Sequence, residues 1–208
     1  VEEAKINLEK SLAIAEELAP IATVDVLANL SELWRFDDRY DDAFSTLEEA
    51  LQIVIHVGAR PEEINIREKL ADIYISKYIV DKEEENLSSA EKNYTKALEL
   101  ARSLKMPLQE STAIRGIGIV QAKKGDITAS KESFKNSIET LRRLGALSDL
   151  QKTSLDYARA LYENNYSAEA EIAAKSAAFD ALRNEYREPL VENVPLARRH
   201  CNEPGASV

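Results

Sequence analysis

A small residue returns along this chain at Ala4, Ala43, Ala90, Ser130 and Ala170, at intervals of 39, 47, 40 and 40 residues. Each one opens a similar string. Four residues on stand Leu8, Leu47, Tyr94, Phe134 and Ala174, and seven on stand Ser11, Ala50, Ala97, Ser137 and Ala177. Eight on come Leu12, Leu51, Leu98, Ile138 and Ala178; fourteen on come Leu18, Val57, Leu104, Leu144 and Asn184. Positions spaced in this way share one face of an α-helix. Self-similarity at this period marks stacked helix pairs, each burying its apolar face against its neighbours. The pattern predicts an all-α solenoid of antiparallel helix pairs.

The alanine-led helices, here termed B, begin near residues 4, 43, 90, 130 and 170. A second set, termed A, lies between them. Ala22 to Arg35 is apolar at Leu27, Leu30 and Trp34, and breaks at Asp37-Asp38-Arg39. Glu62 to Tyr78 carries Ile66, Leu70, Ile73 and Tyr74, with Pro61 suited to a first helical turn. Leu108 to Lys124 carries Ile114, Ile117 and Val120 and stops at Gly125-Asp126. Ser148 to Glu163 carries Leu155, Ala158 and Leu161 and stops at Asn164-Asn165, where Asn takes the left-handed cap. Gly58 and Gly145 end two B helices in the same manner.

Two stretches break the rhythm. The step from Ala43 to Ala90 is about seven residues too long, and Asp81-Lys82-Glu83-Glu84-Glu85-Asn86 holds the excess, as a solvated insertion or an extended helix end. Beyond Arg187, Pro189, Pro195 and Pro204 with Gly205-Ala206-Ser207 predict a loosely ordered tail. The expected organisation is therefore a repeat domain over residues 1–187, about 4.5 repeats, and a tail over 188–208.

Composition narrows the partners. A formal net charge of -10 argues against general affinity for nucleic acid or an anionic membrane surface, both of which ask for basic residues. The single Cys201 cannot form an internal disulfide, and no apolar run reaches bilayer length. These features predict a cytoplasmic setting. The chain opens in an amphipathic helix without Met, which reads as a fragment or an excised domain.

The A-helix pattern resembles the tetratricopeptide repeat family, in which a bulky residue precedes Leu-Gly or Leu-Ala and then an aromatic. Here it stands as Leu27, Leu30-Ser31 and Trp34; as Leu70-Ala71 and Tyr74; as Ile114 and Ile117-Gly118; and as Tyr157-Ala158 with Leu161. The family's turn between paired helices is similar to Asp38-Arg39-Tyr40-Asp41-Asp42-Ala43 and to Gly125-Asp126-Ile127-Thr128-Ala129-Ser130. The resemblance covers about residues 1–186, and the 40-residue pitch is similar to the long-repeat subclass. It implies a right-handed superhelix. It also implies a concave surface on which a protein or peptide lies along exposed A-helix positions.

On that implied surface the second repeat offers Asp25, Ala28, Asn29, Glu32 and Arg35, and the third Asn65, Glu68, Lys69 and Asp72. The fourth offers Arg115, Ile119, Ala122 and Lys123, and the fifth Lys152, Leu155, Arg159 and Tyr162. The first two rows lean acidic and the last two basic, a polarity that would orient an extended peptide. Some members of the family grip a C-terminal carboxylate with a Lys/Asn/Asn/Lys/Arg clamp. Asn29 and Lys152 fall at clamp-like positions, but Lys69 and Gly116 replace what the rest would need. Trp34, Tyr74, Tyr94, Phe134 and Tyr157 take packing positions, which leaves Phe36, Tyr78 and Tyr162 as the aromatics for contact.

Catalysis is not expected. His56 near a B-helix end reads as a partly buried or capping side chain, and His200 beside Cys201 lacks further zinc ligands. Gly116-Ile117-Gly118 lies within a helix rather than in a phosphate loop. No metal or other cofactor is implied. The sequence thus predicts a non-catalytic scaffold that captures a peptide or partner helix. One alternative is a sensor region of a larger ATPase-type or transcription regulator. Another is a self-associating module, in which the uncapped apolar face of residues 1–20 pairs with a second copy.

Overall fold

The computed structural model describes residues 20–185 together with Ile6, Asn7 and Lys10. Residues 20–185 form eight helices: α1 Pro20–Phe36, α2 Tyr40–Val57, α3 Arg60–Asp81, α4 Glu84–Leu104, α5 Pro107–Lys123, α6 Ile127–Leu144, α7 Leu147–Glu163 and α8 Ser167–Glu185. No strand occurs among the described residues. The odd-numbered helices are the A set and the even-numbered the B set. Apart from Ile6, Asn7, Lys10 and Pro20, the predicted first B helix near residue 4 and the uncapped face at residues 1–20 lie outside the described residues, as do the tail over 188–208 and His200 with Cys201.

The returning string is the buried seam of the B helices. In α2, Ala43, Leu47, Ala50 and Val54 are fully buried; in α6, Ser130, Phe134, Ser137 and Leu141 take the same spacing and the same burial. In α4 the seam is Ala90, Tyr94, Ala97 and Ala101. The fourteenth position belongs to it only in one repeat. Val57 is 46% exposed and Leu144 43%, while Leu104 packs partly buried against the cluster of Ala97, Leu100 and Ala113.

Small residues let neighbouring helices cross closely, and α5 depends on two of them. The ring of Tyr94 from α4 lies on the backbone of Gly116, where an added Cβ would overlap it. The ring of Phe134 from α6 lies on the backbone of Gly118, 3.2 Å from where a Cβ would stand. The two glycines are spaced to receive one aromatic from each flanking B helix. Ser130 fixes the second crossing by donating a 2.9 Å hydrogen bond to the carbonyl of Gly118.

The turns follow left-handed capping. Gly58, Gly125 and Gly145 have φ of 73°, 82° and 70°, and Asn165 has 68°. Asp38, Lys82 and Lys105 take the same conformation without being glycine, which the sequence does not announce. Asp126 caps α6, its carboxylate accepting from the Ala129 amide at 3.0 Å. The excess before Ala90 is mostly helix, with Lys82 and Glu83 as the turn between two long helices. α3 runs to 22 residues and α4 to 21, joined where the Asp81 carboxylate accepts from the Glu83 amide and from the side chain of buried Asn86.

The backbones of consecutive A helices approach one another, whereas among the described residues those of consecutive B helices do not; α6 and α8 meet through long side chains, Lys131 with Glu169 at 2.7 Å and Arg142 with Asp180 at 3.7 Å. The A helices therefore form the inner layer and line the concave side of the array.

Candidate binding groove

Two recesses open on the A-helix side. One, of about 500 Å³, is lined by Asp25, Ala28 and Asn29 of α1, by Glu62, Asn65, Glu68, Lys69 and Asp72 of α3, and by Arg115 and Lys152. The other, of about 350 Å³, takes Arg35 from α1, Asp72, Ser76 and Ile79 from α3, Arg115, Ile119, Ala122 and Lys123 from α5, and Lys152, Asp156, Arg159 and Glu163 from α7. Asp72, Arg115 and Lys152 line both, so the recesses form one trough across the four A helices. A larger depression of about 810 Å³ lies against the outer helix α4, lined by exposed or half-exposed side chains such as Ser88, Lys92 and Lys96.

The lean in charge follows the helix axes as well as the repeat order. Asp25, Glu62 and Glu68 sit towards the A-helix N-termini, while Arg35, Lys123 and Arg159 sit towards the C-termini. Arg35 and Asp25 share α1 yet lie in different recesses.

Of the sequence-predicted residues, Asn29, Arg35, Asn65, Glu68, Lys69, Asp72, Arg115, Ile119, Lys123, Lys152 and Arg159 are brought together on the trough. Glu32 stands beside it and pairs with Arg35 at 2.6 Å and with Lys69 at 3.1 Å, tying α1 to α3. Tyr162 lies outside both recesses at 69% exposure, as does Leu155 at 47%. Asp156 and Glu163 occupy the trough in their place. On α7 the lining residues are Lys152, Asp156, Arg159 and Glu163, one residue later in phase than a stripe through Leu155 and Tyr162. Phe36 is 79% exposed, Tyr78 is partly buried against the core, and His56 is exposed rather than partly buried.

Arg115 is only 8% exposed, which its place among exposed A-helix positions did not anticipate. Its nearest ion partner is Asp156, 3.8 Å away. Lys123 pairs with Glu163 at 2.7 Å, and Arg159 lies 3.9 Å from Asp156. Two groups missed by sequence reasoning complete the floor. Thr112 of α5 donates a 2.6 Å hydrogen bond to Glu68, and Tyr94, from the outer helix α4, donates one of 2.5 Å to Asp72. Thr112 continues the A-helix stripe one turn before Arg115, at the place Lys152 takes in the next repeat, so the period could have found it; Tyr94 stands on a B helix, where periodicity gave no signal.

Burial dominates the electrostatics. It pushes the Glu68 carboxyl up to about 7, helped by neighbouring Asp72 and opposed by the Thr112 hydrogen bond, Arg115 and Lys152. Burial also raises Asp156, against the pull of Arg115, Arg159 and Lys152. Burial would raise Glu32 too, but Arg35 and Lys69 together hold it below the usual carboxylate range. Such a floor can bind and orient charged groups. Among the described residues no cluster of His, Cys, Asp and Glu could hold a metal ion, and no helix is long and apolar enough to cross a membrane.

No protein-family model matches the chain, and no curated protein does. Solved structures are more informative. The chain is similar to BtubC (BKLC) of P. vanneervenii, at 19% identity and a TM-score of 0.66, over 100% of this chain and 81% of that one. It is similar to aspartyl phosphate phosphatase F of Bacillus subtilis at 14% identity and a TM-score of 0.67, over 84% of this chain and 44% of that one. It is also similar to a signal-transduction ATPase with numerous domains from Pyrococcus horikoshii that has a tetratricopeptide repeat sensor. That likeness has 17% identity and a TM-score of 0.64, over 90% of this chain and 30% of that one. The chain thus spans less than half the length of the last two proteins. By helix order, by the buried seam and by these likenesses, its fold is the all-α solenoid of the tetratricopeptide repeat proteins.

Proposed function

We propose that this chain is a non-catalytic interaction module whose concave trough holds a peptide or partner helix, in a cytoplasmic setting. The observation that carries the reading is the trough itself. Asp72, Arg115 and Lys152 join two recesses into a path across four A helices, with more acid at one end and more base at the other. A charged trough of this kind selects and orients a segment by complementarity, since charge pattern governs register and encounter more than raw affinity. The long, 40-residue form of the repeat goes with this reading.

Selection of random peptides displayed on phage against the immobilised chain tests it. Enriched peptides should shift backbone amide signals of α1, α3, α5 and α7. Peptides that perturb only the B helices, or no enrichment at all, would overturn the reading.

A second reading, a sensor region within a larger regulator, is favoured by the likeness to the Pyrococcus ATPase, of which this chain spans 30%. A nucleotide-binding or DNA-binding segment elsewhere in the same gene would support it. Self-association through residues 1–20 predicts a concentration-dependent sedimentation coefficient, and a monomer at all concentrations would exclude it.

A further inference from the structure

We propose that the buried guanidinium of Arg115, with Lys152 and Arg159 beside it, seats one carboxylate from an acidic side chain of the bound peptide, and that the seat fills together with a proton on Glu68. The inference rests on the groove reading above and names the chemistry of its occupant.

Arg115 is more than nine-tenths buried and lines both recesses. Its Nε meets no hydrogen-bond acceptor of the protein. The nearest carboxylate, Asp156, stands 3.8 Å from a terminal nitrogen, close enough to attract but beyond hydrogen-bond reach. Arg35, in the same trough, shows the contrast: Glu32 receives its Nε at 3.0 Å and a terminal nitrogen at 2.6 Å. A buried donor without an acceptor is destabilising, and an apolar residue would fill the space without that cost. A carboxylate entering from the trough meets the terminal nitrogens, and a turn of the guanidinium that opens the enclosed Nε to it would remove the deficit. The flat fork of a guanidinium matches a carboxylate in two parallel hydrogen bonds.

The local charge fits a single carboxylate. Arg35 is taken up by Glu32 and Lys123 by Glu163. Arg115, Lys152 and Arg159 then face Asp72 and Asp156, with Glu68 as the third acid of the trough floor. Among these six groups alone the charges balance when Glu68 is ionised and leave one positive charge when it is protonated; Lys69 shares Glu32 with Arg35, and Asp25 and Glu62 line the same recess. The groups around Glu68 agree with this coupling. Asp72, Glu62 and Lys69 share its helix, Thr112 and Arg115 face it from α5, and Lys152 faces it from α7. Asp25 of α1 lines the same recess, and Tyr94 of α4 binds the neighbouring Asp72. Burial already holds the Glu68 carboxyl near 7, so an incoming anion shifts it towards the protonated form.

The test follows the carbon-13 signal of Arg115 Cζ in the whole chain during titration with four probes. These are glutamate blocked at both backbone ends (a side-chain carboxylate only), N-acetylalanine (a terminal carboxylate only), inorganic phosphate, and sodium chloride at matched ionic strength. Blocked glutamate should give the tightest saturable shift, about tenfold tighter at about pH 6 than at about pH 8. Arg115→Lys should weaken it about tenfold or more with helicity retained, and Glu68→Gln should abolish the pH dependence. If Arg115→Lys does not fold, Lys152→Gln and Glu68→Gln carry the test with Arg115 in place.

A shift no larger than that with chloride means an adventitious ion only, and overturns the seat. Tighter binding of phosphate or N-acetylalanine overturns its assignment to an acidic side chain. Equal affinity at both pH values overturns the proton coupling. Because the probes are small molecules, they read the seat even if no displayed peptide is enriched. Enriched peptides that lie in the trough yet lack acidic residues would keep the groove and discard the seat.

Discussion

The phenol of Tyr94, on an outer helix, donates a 2.5 Å hydrogen bond to Asp72 on the wall of the trough. Burial, and then the Asp72 charge, hold that phenol well above its usual titration range, so it remains a donor. Tyr94→Phe keeps the ring on Gly116 and removes only the bond to a carboxylate. It should destabilise the fold by about 1.5–3 kcal/mol in urea unfolding. A loss below about 0.5 kcal/mol would show that Asp72 finds another donor at little cost.

Gly116 is a contact glycine, not a flexible one. Gly116→Ala drives a methyl into the Tyr94 ring, and a packed core yields to such overfilling at about 1–3 kcal/mol. Gly118→Ala, which meets Phe134 at 3.2 Å, should cost less. Thermal unfolding of both variants checks the order; equal melting temperatures would contradict it.

Glu68 gives the fold a pH dependence of definite sign. Its carboxyl titrates near 7 in the folded chain against an ordinary value of 4.5. The native state therefore holds more protons than the unfolded state between these values, and stability falls as pH rises through that window. Glu68→Gln should flatten the fall, worth on the order of 1–3 kcal/mol, as read from urea midpoints across the window.

Lys105 ends α4 at φ 56°, in a conformation that a side chain disfavours. Lys105→Gly should relieve that strain and stabilise the chain by about 0.5–1 kcal/mol, raising the thermal midpoint. The same substitution at exposed Lys96, inside α4, should lower it by a similar amount.

How far the sequence could be read depended on contrast between faces. The B seam was legible because small and bulky apolar residues recur there at fixed spacing, as at Ala43, Leu47 and Ala50. The trough was legible to within one residue. On α7, Leu155 and Tyr162 are apolar neighbours of charged positions, so a stripe through them fits the helical period as well as one through Asp156 and Glu163. Only packing against α6 and α8 decides between them. On sequence Arg115 reads as an exposed cation, since arginine on a polar stripe usually is. Its burial comes from neighbours on α3 and α7, distant in sequence. Lys82 and Lys105 carry no glycine to announce their turns. Of the surplus before Ala90, Asp81 closes α3 and Glu84, Glu85 and Asn86 open α4, while Lys82 and Glu83 alone form the turn, so it lengthened two helices instead of looping out.

Because the backbones of consecutive A helices approach closely while B helices such as α6 and α8 meet only through flexible charged side chains, the array is held more tightly along its inner edge than along its outer one. Such a body bends like a strip hinged on one side: small rolls between pairs change its curvature without breaking the inner contacts. A guest that bridges α3, α5 and α7 would lock those rolls at a single setting. The orientation of whatever is joined at either end then becomes a readout of whether the trough is filled.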